Sequence, residues 1–226
     1  MTGAGPRVVS LVPSLTETLL AWRIEPIAVT RFCEQPRLEA VGGTKDPDLV
    51  RIVQLAPDLV LVNDEENRRQ DHDALVAAGL DVHVVSITSV FDVSPQLAAL
   101  RIRLGLDPLE LVLPPPEPER LRAFVPIWRR PWMSLSASTY GSSLLAHIGI
   151  GNALADVPDR YPEVDLEDVV ADIVLAPSEP YPFGERFRRE LEVVAPVVFV
   201  DGQDLFWWGT RTPAAIERLK TATARL

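Results

Sequence analysis

The stretch PDLVLVNDEENRRQDHDALVAAGLDVHVV (57–85) has the order strand, acidic loop, charged helix, strand. A second stretch, ADIVLAPSEPYPFGERFRRELEVVAPVVFV (171–200), repeats that order, and Asp58 aligns with Asp172. Short β-branched strands that alternate with amphipathic helices are typical of an α/β protein with mainly parallel strands. A duplicated unit of this kind predicts two similar lobes. The alternative is that any two strand–helix–strand units resemble each other to this degree.

The same alternation continues outward in both directions along the chain. The first half predicts strands at 7–11, 26–30, 58–62 and 81–85 and helices at 14–22, 46–56 and about 66–78. The second half predicts strands at 123–128, 172–177 and 196–201 and helices at 139–147, 183–194 and from 212 onward.

A proline-rich stretch, LDPLELVLPPPEPERLRAF (106–124), separates the two halves and cannot continue a helix. We therefore expect an N-terminal lobe at 1–88, a connector helix with a proline-rich segment at 89–122, and a C-terminal lobe at 123–226. The predicted fold class is α/β: two similar Rossmann-like lobes with mainly parallel sheets, joined by a helical and proline-rich connector, with a ligand cleft between the lobes.

Composition excludes several classes of function. The 226-residue chain carries 22 basic against 32 acidic residues, a net charge of −10. That average field repels phosphate backbones, and no stripe of Lys and Arg offsets it, so we expect no nucleic-acid partner. A run of about 18 apolar residues is lacking, so we expect no transmembrane segment. Cys33 is the only cysteine, which excludes an intrachain disulfide. We expect a monomer.

The first residues, MTGAGPRVVSLVPS, contain neither a basic region ahead of a long apolar segment nor a cysteine that could carry a lipid. As written, the sequence has no export signal and predicts a cytoplasmic location. The alternative is that a signal has been removed.

Motifs for catalysis are scarce. Neither G-x-S-x-G nor the phosphate-binding G-x-x-x-x-G-K-[ST] occurs. GIGNAL (149–154) starts like a dinucleotide fingerprint, but it lacks the third glycine and follows a predicted helix, which favours a helix end and turn. His72, His83 and His147 have no visible ligand partners. We therefore expect a protein that is not an enzyme, with no catalytic residue, no metal site and no cofactor. A small-molecule enzyme with an unrecognised site is the alternative.

Aromatic side chains concentrate in loops that follow predicted strands. In parallel sheets, ligands bind beyond the carboxyl ends of the strands. Aromatic faces with a few guanidinium groups suit a large, flat and partly anionic ligand, although core packing is the alternative for any single ring. The predicted ligand-binding residues are Phe32, Cys33, Trp128, Trp132, Phe183, Trp207, Trp208 and Arg211.

Two of these predictions are more specific. Of the tandem tryptophans, we expect Trp207 to contact the ligand and Trp208 to pack under its loop. Cys33 is open to three interpretations: a reactive thiol, a soft metal ligand, or a half-buried structural residue.

Several stretches resemble the substrate-binding proteins of metal-chelate ABC importers, the cobalamin, haem and ferric-siderophore receptors. The resemblance rests on RVVSLVPSLTETLLAW (7–22), PIAVTRFCEQP (26–36) and VGGTKDPDLVRIVQLAPDLVLV (41–62), and more loosely on DIVLAPSEP (172–180) and VVFVDGQDLFWW (197–208). The cobalamin-binding branch is the most similar because of TRFCEQP and SLVPSLTE. The family joins its two lobes by a long helix, whereas the connector here is short and proline-rich.

This resemblance implies binding without chemistry, with a cobalamin-like corrinoid or a related metal chelate held as ligand. It also implies an ABC permease as partner and an extracytoplasmic location. Receptors of this family present one acidic residue per lobe to the permease, and the offset between Asp58 and Asp172 carries Glu65 onto Glu179 as that pair. The alternatives are two ordinary solvated acids and, for the whole chain, a cytoplasmic corrinoid-handling or sensing protein without a transport role.

Overall fold

The computed structural model describes residues 5–224, which form two compact units. Unit 1 comprises the described residues up to Ile87 together with Asp92–Glu110, and unit 2 comprises Thr88–Phe91 together with the described residues from Leu111 onward. The segment predicted as a connector is thus divided between the two units. Residues 1–4 and 225–226 lie outside the described residues. The predicted N-terminal lobe and the stretch considered for an export signal both begin within residues 1–4.

Unit 1 is built on a five-stranded parallel sheet. Its strands are β1 (Val8–Ser10), β2 (Ala28–Val29), β3 (Glu39–Ala40), β4 (Leu59–Asn63) and β5 (Val82–Val85), in the order β3-β2-β1-β4-β5. Its helices are α1 (Pro13–Ala21), α2 (Leu49–Leu55), α3 (Arg69–Ala77) and α4 (Val93–Arg103). Every residue of β1 and β4 is buried. Burial on both faces explains why these two strands read as continuous apolar runs rather than as alternating ones.

Local signals in the sequence set the helix ends of unit 1. Asp48 caps α2, because its side chain accepts a hydrogen bond from the backbone N–H of Arg51 at 2.9 Å. Gly79 follows α3 with φ +83°, a conformation that glycine adopts without the strain a Cβ would bring. Ile52 of α2 and Leu75 of α3 are fully buried and pack in one core with Val60 of β4.

Unit 2 contains a four-stranded parallel sheet and a short hairpin. Its strands are β6 (Glu117–Phe124), β7 (Pro126–Trp128), β8 (Met133–Ser134), β9 (Ile148–Asn152), β10 (Ile173–Pro177) and β11 (Val197–Val200). The sheet has the order β11-β10-β6-β9, and β7 pairs with β8 in the antiparallel hairpin. The helices are α5 (Tyr140–His147), α6 (Arg188–Leu191), α7 (Gly202–Phe206) and α8 (Thr212–Thr223). The predicted fold class, α/β with mainly parallel sheets in two units, is confirmed.

Two helical segments of unit 2 differ from the sequence prediction. The helix predicted at 183–194 is shorter: a 3-10 turn at Glu185–Phe187 leads into the single turn of α6. The segment 201–209, which lies between the last predicted strand and the last predicted helix, contains α7. Asp201 caps α7, because its side chain accepts a hydrogen bond from the backbone N–H of Gln203 at 2.9 Å. A helix of five residues is too short to show the helical period in the sequence.

The GIGNAL segment also differs from its prediction in part. Gly149 lies directly after α5 with φ +76°, as expected for a helix end, but the chain then continues as β9 rather than as a turn. A Cβ at Gly149 would lie 2.5 Å from the carbonyl oxygen of Pro118. The close approach of β6 to β9 therefore requires glycine here, although glycine weakens the strand pattern in the sequence.

The same pair of hydrogen bonds between an aspartate and an arginine precedes β4 in unit 1 and β10 in unit 2. In unit 1 the backbone N–H of Asp58 donates to the carbonyl oxygen of Arg7 at 2.8 Å, and the N–H of Arg7 donates to the Asp58 carboxylate at 2.8 Å. In unit 2 the corresponding distances between Asp172 and Arg122 are 2.9 and 2.6 Å. The alignment of Asp58 with Asp172 thus reflects a shared structural role, which supports the duplication.

Candidate functional site

The turn after β2 presents the first predicted ligand-binding residue. The side chain of Phe32 is 50% exposed, and the guanidinium carbon of Arg31 lies 4.9 Å from the centre of its ring. Arg31 is itself held by Asp46, with 3.0 Å between guanidinium and carboxylate. Gly43 makes room for this pair, because a Cβ there would lie 2.8 Å from the Arg31 guanidinium nitrogen Nη2. The turn therefore exposes one aromatic face beside a fixed cation.

Cys33, in the same turn, has the environment of a structural residue. Its side chain is 3% exposed, and its sulfur lies 3.2 Å from Thr16 Oγ1 and 3.1 Å from Thr30 Oγ1. Burial raises the pKa of the Cys33 thiol, and the hydrogen bonds from the two threonines oppose that rise. A reactive or metal-binding cysteine needs the thiolate, which this environment disfavours. Of the three interpretations, the structural one fits the observed contacts.

Two loops that are separate in the sequence meet in an aromatic cluster on unit 2. Trp132 stacks on Phe183 with 5.9 Å between ring centres and 14° between planes. Trp128 makes an edge contact with Tyr181 at 5.4 Å, and its side chain is 46% exposed. Phe183 is 6% exposed and packs on Phe187 at 5.6 Å, so it forms the floor of the cluster. Trp128 is exposed, and Trp132 and Tyr181 are partly exposed, so these three members offer surface to a ligand.

A partly exposed ion pair flanks this aromatic cluster. The guanidinium of Arg129 binds the carboxylate of Glu190 with both donors at 3.1 to 3.2 Å. The same guanidinium lies 5.9 Å from the ring centre of Trp132 and 5.5 Å from that of Phe187. The hydrogen bond to Glu190 raises the pKa of Arg129, so the arginine keeps its charge beside the rings. A planar cation near aromatic faces suits an electron-rich, flat ligand.

The tandem tryptophans lie at the end of α7 and differ in exposure. Trp208 is 4% exposed, whereas Trp207, which caps the carboxyl end of α7, is partly exposed. The guanidinium of Arg211 lies 5.4 Å from the centre of the Trp207 ring. It donates to Asp204 Oδ1 at 3.1 Å and to Gln203 Oε1 at 3.2 Å. Of the two indoles, Trp207 is the one whose ring is available at the surface of unit 2.

Both glutamates of the predicted docking pair occupy the same position relative to a strand. Glu65 lies two residues beyond β4, and Glu179 lies two residues beyond β10; both are partly exposed. Gly202 packs directly against Glu179, since a Cβ there would lie 2.5 Å from the Glu179 backbone nitrogen. The Ser178 hydroxyl accepts a hydrogen bond from the Gly202 N–H at 2.9 Å. The start of α7 therefore fixes the loop that carries Glu179.

Two buried asparagines, neither of them predicted from the sequence, hold the loop that carries Glu65. Asn63 Oδ1 accepts from the backbone N–H groups of Glu65 and Glu66 at 2.9 and 3.0 Å. Asn67 Oδ1 accepts from the Asn63 N–H, and Asn67 Nδ2 donates to the carbonyl oxygens of Leu11 and Thr44. The sequence signal was present, because both amides flank the acidic residues immediately after a buried strand.

The described part of the chain has two further properties that bear on function. Among residues 5–224, no three His, Cys, Asp or Glu side chains come together as metal ligands. In the same range, none of the helices has the length and apolar character that would let it cross a membrane.

Known proteins resemble the chain in sequence. No protein-family model matches it. The vitamin B12-binding protein of Salmonella choleraesuis (strain SC-B67) is 34% identical over 103 residues, 42% of this chain and 39% of that protein. The vitamin B12-binding protein of Salmonella typhi is 27% identical over 185 residues, 74% of this chain and 70% of that protein.

The chain is therefore similar in sequence to vitamin B12-binding proteins. It spans 39% of one relative and 70% of the other. The predicted resemblance to the metal-chelate receptors, with cobalamin-binding proteins among the relatives, is confirmed.

Solved structures share the fold of this chain. The periplasmic vitamin B12-binding protein BtuF of Vibrio cholerae matches with a TM-score of 0.77 at 18% identity, over 96% of each chain. A periplasmic haem-binding protein of Pseudomonas aeruginosa matches with a TM-score of 0.74 at 18% identity, over 97% of this chain and 92% of that one. At this identity the likeness shows a shared fold and no more.

Proposed function

We propose that the chain is a non-enzymatic binding protein for a corrinoid or a related metal chelate. In this proposal it is the substrate-binding component of an ABC importer and works outside the cytoplasmic membrane. The observation that carries the proposal is the similarity to a vitamin B12-binding protein over 74% of this chain. The shared fold with proteins that bind vitamin B12 or haem supports the same class of ligand.

The proposed ligand contacts are those of the predicted aromatic residues that are exposed or partly exposed. They are Phe32 in unit 1 and Trp128, Trp132 and Trp207 in unit 2. Aromatic rings offer large apolar areas, and rings packed on neighbouring side chains lose little entropy when a ligand binds. The other four predicted residues are proposed to support these contacts. Cys33 contacts Thr16 and Thr30, Phe183 lies under Trp132, Trp208 is buried within unit 2, and Arg211 lies beside Trp207.

We further propose that Glu65 and Glu179 bind basic side chains of a permease. Equal placement after β4 and β10 supports the pair, because a duplicated protein presents duplicated positions in equivalent loops. Rigid loops support it as well, since Asn63 and Asn67 fix one loop and Gly202 fixes the other. Preorganised charges lose less entropy on docking than charges on mobile loops.

Titration of the purified chain tests the proposed ligand class. Cyanocobalamin, haem and a ferric siderophore are added separately, and tryptophan fluorescence and calorimetric heat are recorded. At least one chelate is expected to quench fluorescence and release or absorb heat at a single class of site. The variant Trp22→Phe is the matched control, because Trp22 follows α1 and stacks with Arg101 at 5.1 Å, away from the strand ends that carry the proposed contacts. It is expected to bind like the unchanged chain. The absence of both signals with all three chelates would overturn the proposal.

A further inference from the structure

We propose that Asp204 is a positioning residue for the ligand-contacting face of Trp207 and that it acts through the guanidinium of Arg211. The inference rests on the proposed function, because it takes Trp207 as a ligand contact. It adds a residue that itself offers no surface to a ligand.

Asp204 is a buried carboxylate at the centre of an arginine network. Its side chain is 4% exposed. Arg218 binds it through Nε and Nη2, each at 2.6 Å, and Arg211 binds it through Nη2 at 3.1 Å. A buried carboxylate is costly unless cations and hydrogen bonds compensate it, and here two guanidinium groups do so. Removal of the negative charge would leave two arginines to repel each other.

The two arginines differ in what they reach beyond Asp204. The Arg218 side chain is 52% exposed, whereas that of Arg211 is 11% exposed and lies 5.4 Å from the centre of the Trp207 ring. Arg211 also donates to Gln203 Oε1 at 3.2 Å. Its guanidinium is therefore fixed by two residues of α7 and is held against one face of the indole. A cation placed over an indole ring is attracted to it and restricts how the ring can turn.

Trp207 needs such support because of where it lies. It is the residue at which α7 ends, and a helix of five residues has little stability of its own. Trp208, next in the chain, is fixed by burial, but Trp207 is partly exposed and lacks that restraint. The contacts from Asp204 to Arg211 to Trp207 supply a restraint from the interior of unit 2. An aromatic ring that is already oriented binds a flat ligand with a smaller entropy loss.

The test compares four variants in the full chain: two single changes, their double variant and a conservative replacement of Arg211. Asp204→Asn keeps the shape of the side chain and removes its charge, and Arg211→Gln removes the cation from the indole. Each is expected to weaken cyanocobalamin binding about fivefold, the change that corresponds to loss of one cation–π contact. The double variant is expected to bind no more weakly than either single variant, because both changes break one chain of contacts. Arg211→Lys is expected to recover part of the affinity.

Two controls separate positioning from general destabilisation. Arg218→Gln removes the other arginine from the same carboxylate without touching the indole. Tyr140→Phe removes the 3.1 Å hydrogen bond between the Tyr140 hydroxyl and Thr212 at the start of α8. Both are expected to lower thermal stability and to leave cyanocobalamin affinity within about twofold. Affinity losses equal to that of Asp204→Asn in either control would overturn the proposal.

A fluorescence measurement without ligand tests the proposal independently. The contribution of Trp207 is obtained as the difference between spectra recorded with and without Trp207→Phe. In the Asp204→Asn background this contribution is expected to move to longer wavelength and to become more accessible to acrylamide. An unchanged Trp207 contribution overturns the positioning role, even if the chain binds cyanocobalamin. The opposite result is also informative. If the chain binds no chelate but its Trp207 contribution shifts as described, the proposed function is contradicted and the positioning of the ring is supported.

Discussion

Replacement of Trp207 and Trp208 one at a time separates ligand binding from stability. Trp208 is 4% exposed, so Trp208→Ala removes a buried indole at a cost of about 3–5 kcal/mol in the free energy of unfolding. In a chain of this size that loss lowers Tm by about 10 °C. Trp207 is partly exposed, and Trp207→Ala removes partial burial and the contact with Arg211, together about 1–2 kcal/mol. Its effect on ligand affinity is expected to be about 30-fold, or about 2 kcal/mol, as for an aromatic anchor in a binding site.

Thermal unfolding followed by circular dichroism measures the first effect, and calorimetric titration with cyanocobalamin measures the second. Trp208→Ala is expected to have the lower Tm of the two variants, whereas Trp207→Ala is expected to bind cyanocobalamin more weakly. Titrations are carried out well below the Tm of each variant, so that both are folded. The reasoning is refuted if Trp207→Ala lowers Tm as much as Trp208→Ala, or if folded Trp208→Ala loses more affinity than Trp207→Ala.

Three more changes are predicted. Gly202→Ala places a Cβ 2.5 Å from the Glu179 nitrogen and is expected to cost about 1–3 kcal/mol in thermal or denaturant unfolding. Burial raises the pKa of the Cys33 thiol, so the native state holds this proton more tightly than the unfolded chain does. The free energy of unfolding should therefore fall as the pH rises from the ordinary thiol pKa toward the raised pKa of the native state. Cys33→Ala should remove this pH dependence. Glu65→Lys and Glu179→Lys should each reduce chelate uptake by cells that carry the matching permease, while cyanocobalamin affinity of the purified chain stays within about twofold.

Two matched variants serve as controls for the glycine substitution and for the charge reversals. Gly184→Ala is the control for Gly202→Ala, because a Cβ at Gly184 has no neighbouring atom within 4 Å, and it should leave Tm unchanged. Glu217→Lys, at an exposed position of α8, is the control for charge reversal and should support normal uptake. A pH slope that persists in Cys33→Ala, or uptake that falls equally with Glu217→Lys, would contradict the corresponding prediction.

The parallel sheets could be predicted from the sequence because their strands are buried on both faces. LVLVN (59–63) and IVLAP (173–177) are continuous apolar runs followed by polar loops, and each is fully buried. The hydrogen bonds between Asp58 and Arg7, and between Asp172 and Arg122, explain why aspartate precedes such a run in both units. These features depend on local composition and period, which a single sequence displays directly.

Other elements depend on contacts that a single sequence does not display. β9 contains two glycines, and a Cβ at Gly149 would lie 2.5 Å from the backbone carbonyl oxygen of Pro118, so the fit to β6 overrides the low strand propensity of glycine there. Likewise, the prediction that Trp207 and Trp208 differ in burial holds, but the partners that hold Trp207 could not be foreseen. Asp204 and Arg218 lie 14 residues apart, on two helices whose packing only the structure shows.

The amide network of Asn63 and Asn67 has a consequence for how this protein can change. Asn63 Oδ1 accepts from the backbone N–H groups of Glu65 and Glu66, so a buried neighbour holds the backbone at these two positions whatever side chains they carry. Asp64 differs, because its carboxylate accepts a hydrogen bond from the Ser86 hydroxyl at 2.7 Å. Substitution at positions 65 and 66 is therefore expected to change the charge offered to a partner with less effect on the loop than substitution at position 64.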